Sequence, residues 1–102
     1  MNYEPKLQRR AADKANAYLR NTYRNRLEFF AAVEEFRLAL LNLAANPRQA
    51  VTPPGLFEAR PVYRFRLKAD GEPRDVEVCF CFDADDPLER TILITDFRVV
   101  QA

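Results

Sequence analysis

The chain has no histidine, two cysteines and two glycines among its 102 residues. Each shortage removes a class of fold or function. Without histidine, and with only Cys79 and Cys81, a four-ligand zinc site cannot be assembled from the usual nitrogen and sulfur donors. The two thiols stand two apart in a strand-like run, where a disulfide between them would be strained. They read as small hydrophobes packed in a sheet, which suits a reducing compartment. Acid–base chemistry at neutral pH loses its commonest group. No apolar run approaches the roughly 18 residues of a membrane span, and the opening Met1-Asn2-Tyr3-Glu4-Pro5 carries no apolar leader. The expectation is a cytoplasmic protein with no membrane contact, no metal and no cofactor. An excess of one charge sign is missing as well. The net charge of +1 exerts no global pull on nucleic acid, for which a domain with a pI above about 9 would be expected.

What is present describes a globular chain, 48% hydrophobic and 30% charged, that reads as a single domain over residues 1–102. Thirteen of its sixteen basic residues are arginine, the side chain suited to planar, bidentate contacts with carboxylate or phosphate.

From Pro5 to Asn46 there is neither glycine nor a second proline, and the residues are mostly helix formers. Leu7, Ala11, Ala15, Tyr18 and Thr22 recur at helical spacing and predict a weakly apolar helix over about 5–23. Asn25 followed by Glu28 has the form of a capping box, so a break is expected at Asn21 to Asn25. A second helix over about 25–46 carries the stronger stripe, Phe29, Val33, Phe36, Leu40 and Leu43, and stops at Asn46-Pro47. One long helix over 5–46 is the competing arrangement. No strand is expected before the helices, because Met1 to Glu4 is short and runs into Pro5.

A joint from Pro47 to Pro61 follows, with Pro53, Pro54 and Gly55 as turn signals. Strands are predicted over about 62–68, 76–82 and 91–100, as two consecutive hairpins. Val62 to Lys68 alternates strictly, so Tyr63, Phe65 and Leu67 point to the core and Arg64, Arg66 and Lys68 point away. The same alternation places Val76, Val78, Phe80, Phe82, Leu93, Phe97 and Val99 inside. It leaves Glu77, Cys79, Cys81, Ile92, Ile94, Asp96 and Arg98 on the outer face. The fold class is therefore α+β, an N-terminal helical hairpin packed on one face of a three-stranded antiparallel sheet. Asp83, Asp85 and Asp86 lie between strands without the glycine or the bidentate Glu of a calcium loop, and read as an acidic turn.

The order of parts resembles the RelE/ParE superfamily of bacterial toxin–antitoxin toxins over about residues 25–100. The residues that carry the likeness are Leu43-Ala44-Ala45-Asn46-Pro47, Gly55-Leu56-Phe57, Tyr63-Arg64-Phe65 and Asp96-Phe97-Arg98-Val99. The resemblance implies a small cytoplasmic toxin, neutralised by a cognate antitoxin protein and working through a basic sheet face. RelE-like members cut messenger RNA on the ribosome, whereas ParE-like members act on DNA gyrase. By motif position Arg64 would be the strand arginine at the scissile phosphate and Arg98 the basic residue of the last strand. Arg60, Arg66 and Lys68 are further binding candidates. Cleavage through a 2′-hydroxyl also requires a proton-transfer group, for which Glu77, Asp96 and Tyr63 are the candidates. The residues leave a second class open, a non-catalytic interaction domain or homodimer. There Arg64, Ile92, Ile94 and Arg98 of the outer face would meet a protein partner.

Overall fold

Asn25 divides the helical part of the chain. The structure, a computed structural model, describes residues 3–47 and 61–100. In it the Asn25 side chain accepts hydrogen bonds from the backbone N–H groups of Leu27 (2.9 Å) and Glu28 (3.4 Å). This satisfies two of the four orphan donors at a helix start and costs about 1 kcal/mol to lose. Two helices result, α1 (Arg9–Thr22) and α2 (Arg26–Ala45), rather than one long one. The second ends at Asn46, ahead of Pro47.

The expected helix start at Pro5 gives way to a strand. Glu4–Leu7 forms β1, which pairs in parallel with the last strand, from Glu4 opposite Thr91 to Leu7 opposite Ile94. Pro5 is admissible there because β1 is a sheet edge, where a missing N–H breaks no central ladder. Backbone bonds fasten both ends, Glu4 N–H to Arg90 O and Gln8 N–H to Ile94 O. The remaining strands are β2 (Val62–Leu67), β3 (Arg74–Phe82) and β4 (Thr91–Val99). The sheet is four-stranded and mixed, in the order β1-β4-β3-β2. The α+β class stands, and the expected three antiparallel strands become the larger part of this sheet. Arg60 and the joint from Arg48 onward lie outside the described residues.

A second correction concerns β4. Cys79 of β3 is opposite Asp96, but the next residue, Phe80, is opposite Ile94, so Thr95 is an extra residue in the ladder. Its hydroxyl donates to Cys79 O at 3.3 Å. One extra residue inverts the facing of everything before it. Ile92 and Ile94, expected on the outer face, are fully buried, and Leu93, expected inside, lies outside and half-buried. Val99 and Phe82 reach the frayed ends of the inner face and are about half exposed.

Both helices pack on one face of the sheet around a single cluster. Ala11, Ala15 and Leu19 come from α1, and Phe36, Leu40 and Leu43 from α2. Leu67, Val76, Val78, Phe80, Ile92, Ile94 and Phe97 come from the strands. Small residues on the buried side of α1 let it lie close to β4, where Tyr18 meets the Phe97 ring.

Tyr23, between the helices, is the largest fully buried side chain, with Arg74 over its ring at 5.9 Å. Among the described residues its hydroxyl has no hydrogen-bond partner. Burial, reinforced by Tyr18 and Asp70, pushes its pKa up to about 12, against the lowering effect of Arg74. The unfolded phenol ionises near 10. Stability from this group is therefore complete below pH 10 and is lost as pH rises toward 12, by about 2 kcal/mol. Tyr23→Phe is expected to remove that alkaline loss and to be neutral or stabilising by about 1 kcal/mol at pH 8. Urea titrations at pH 8 and pH 11 check both.

Candidate functional site: the outer sheet face

Strand alternation and cross-strand register build this face row by row. Arg66 on β2 is opposite Asp75 on β3, and its Nε donates to Asp75 Oδ1 at 2.8 Å. In the next row Arg64, Glu77 and Arg98 stand abreast on β2, β3 and β4. Val62, Cys79 and Asp96 follow, and beyond them Cys81 is opposite Leu93. Neither α1 nor α2 packs over these rows, because both share the other face.

Glu77 organises the centre. Its Oε2 accepts from Arg64 Nε at 3.0 Å, and its Oε1 lies 3.6 Å from Arg98 Nε. The carboxylate is 14% exposed while the Arg64 side chain is 70% exposed. The acid is therefore the buried foot of the triad and the guanidiniums are its outward arms. Arg98 Nη2 also reaches Cys79 Sγ at 2.7 Å. Exposed ion pairs of this kind contribute about 0–1 kcal/mol each, so the triad orients side chains more than it stabilises the fold.

The Arg66 hydrogen bond holds the Asp75 carboxyl below its ordinary range, and Arg66 is raised in return. Lys68 follows β2 and is exposed, and its backbone N–H donates to Glu35 Oε2 at 2.7 Å. With Arg64, Phe65, Arg66 and Asp75 it lines a shallow groove of about 400 Å³.

Of the three candidates for proton transfer, only Glu77 stands beside the arginines. Tyr63 points to the helices, where its hydroxyl accepts from Asn42 Nδ2 at 2.9 Å. Asp96 is drawn toward α1, with Lys14 Nζ at 2.7 Å and Arg10 Nε at 4.0 Å. Burial alone would raise the Asp96 carboxyl, but the Lys14 hydrogen bond, the Phe97 N–H and the charges of Lys14 and Arg10 hold it below the usual carboxylate range. Lys14 and Arg10 were absent from the sequence-based candidates. Their spacing of four on α1 marks a common basic face, but only the tertiary structure brings Asp96 to it.

Arg64, Arg66 and Arg98 are thus brought together, with Lys68 at the margin. Ile92 and Ile94 are not on this face, and Leu93 takes their place there. The acidic turn is organised by its own carboxylates. Asp86 accepts from the N–H groups of Leu88 and Arg90 and from the Thr91 hydroxyl. The Thr91 bond first, and then the two N–H groups, hold Asp86 low.

The face offers outward guanidinium N–H groups on a partly charge-compensated platform flanked by Cys81 and Leu93. Such a platform can clamp carboxylates or phosphates. Its one central carboxylate, Glu77, is 14% exposed, and one of its oxygens already accepts from Arg64. Among the described residues no helix is long and apolar enough to cross a membrane. The chain matches no protein-family model, no curated protein and no solved structure in comparisons with all three.

Proposed function

We propose that this chain is a RelE/ParE-like toxin of a toxin–antitoxin pair that acts by binding a target through its outer sheet face, as ParE-like proteins act on DNA gyrase. Messenger RNA cleavage is the less favoured mode. The observation that carries the preference is Glu77 held between Arg64 and Arg98, since a partly neutralised row with apolar neighbours suits a protein surface better than a phosphodiester undergoing cleavage. A cognate antitoxin would cover the same face. Its recognition would rest on Arg64, Arg98, Arg66 and Lys68, with Arg60 preceding β2 in sequence.

Induced expression is expected to arrest growth, and Arg64→Ala combined with Arg98→Ala to relieve the arrest while leaving the thermal midpoint within a few degrees. Mapping of transcript 5′ ends separates the modes. Intact messages accompany binding, whereas ribosome-dependent cuts lost in Arg64→Ala would replace this proposal with the ribonuclease. Unimpaired growth under the unmutated chain would exclude the toxin reading. It would leave the non-catalytic interaction domain, whose partner a pull-down with and without Arg64→Ala would identify.

A further inference from the structure

Besides the stripe that faces the sheet, α2 carries a second apolar row. Phe30, Val33, Leu38 and Leu41 are exposed, and Leu27, one turn earlier, is 80% exposed. A helix that is apolar on every side is ordinarily buried on every side. Within the described chain this row is not.

The row has an internal order. Phe30 and Leu41, Val33 and Leu38, and Glu34 and Arg37 each straddle one point, the bond between Glu35 and Phe36. Read backward from that point the row presents apolar against apolar and acid against base. A surface that maps onto itself on reversal is what an isologous two-fold interface requires. Glu34 and Arg37 sit at the middle and already pair within the helix, Arg37 Nε donating to Glu34 Oε2 at 2.9 Å. Both side chains stay more than half exposed, so each can meet a second partner of opposite sign.

We infer that α2 is an antiparallel self-association seam, through which a second copy of this chain docks about a two-fold axis level with Glu34 and Arg37 on the exposed side of the helix. In that arrangement Phe30 meets the partner's Leu41 and Glu34 meets the partner's Arg37, while Val33 and Leu38 line the two flanks of the seam. Leu27 extends the seam over the last turn of the partner's helix. The central charges set direction and register, as single polar positions do in coiled coils. Parallel pairing would set Glu34 against Glu34 and Arg37 against Arg37. An unrelated helix would demand neither the mirrored order nor the central charge reversal, which is why the occupant is a second copy. The seam is on the helical layer, away from the outer sheet face, and does not rest on the toxin reading.

The test is the mass of the full chain by sedimentation equilibrium, up to about 1 mM, where weak contacts become visible. The unmutated protein is expected to show a concentration-dependent doubling of mass. Leu38→Glu with Leu41→Glu should return the monomer with unchanged far-ultraviolet dichroism. Glu34→Arg alone and Arg37→Glu alone should also be monomers, because each sets like charges face to face across the two-fold axis. Mixing those two variants in equal amounts should restore the doubled mass, since each then supplies the charge the other lacks. A wild-type monomer throughout the range overturns the inference. So does a doubled mass that survives Leu38→Glu with Leu41→Glu or either single charge reversal.

Discussion

Ile94→Asp is expected to abolish folding, while the same change one residue earlier, Leu93→Asp, is expected to cost about 1 kcal/mol. Ile94 is fully buried, on β4 between β1 and β3, opposite Leu7 on one side and Phe80 on the other. A carboxylate there has no basic partner in the inner cluster, which is apolar throughout. Loss of the aliphatic contact and burial of an unpaired acid together exceed about 5 kcal/mol, at or above the whole stability of many domains this size. Leu93 faces the other way, half-buried and opposite Lys6, a basic cross-strand neighbour for an acid. Dispersed proton spectra and thermal melts of the two variants decide the matter. Equal tolerance at both positions would contradict the bulge at Thr95, and a reversed order would restore the uninterrupted alternation.

Phe36→Ala is expected to destabilise by about 4 kcal/mol, and Phe30→Ala to leave monomer stability unchanged within about 0.5 kcal/mol. Phe36 is the aromatic hinge between layers, with ring centroids 5.7 Å from Phe65 on β2 and 5.9 Å from Phe97 on β4. Its removal opens a void walled by strands that cannot close together and forfeits two ring pairs worth about 0.5–1.5 kcal/mol each. Phe30 is more than half exposed, with the Arg26 guanidinium 5.7 Å from its ring and no place in the core. Urea midpoints should differ widely at dilute concentration, where self-association through α2 contributes little. A Phe36→Ala loss below about 2 kcal/mol would mean that α2 is not held to the sheet by this residue.

These two contrasts also divide what could be read from sequence from what could not. The inward stripe of α2 was legible because helical spacing singles out Phe36, Leu40 and Leu43, and all three are buried. Val33 of the same stripe is not, because α2 is apolar nearly all round and periodicity fixes no single buried side. The break at Asn25 was legible because its cap is a local interaction, complete within four residues. Arg64, Arg66 and Arg98 were legible as one face, since strand alternation needs only a correct parity. Parity failed over Thr91 to Ile94, where Ile92, Leu93 and Ile94 are all apolar and either facing looks acceptable. The error travelled from Phe97 across an insertion that no local pattern announces.

The sequence by itself determined the α+β class, the helix break, the inner row Tyr63, Phe65 and Leu67, and the outward arginines, because each rests on contacts between residues near in the chain or on simple periodicity. Only the tertiary structure decided the rest. The parallel edge strand Glu4–Leu7 exists because β4 presents a free ladder to it, and four residues are too few to announce a strand alone. The Thr95 bulge exists because β3 and β4 must match over their whole length. Glu77 becomes the foot shared by two arginines because three strands meet side by side. Each of these is a pairing between distant segments, and its free energy belongs to neither segment alone.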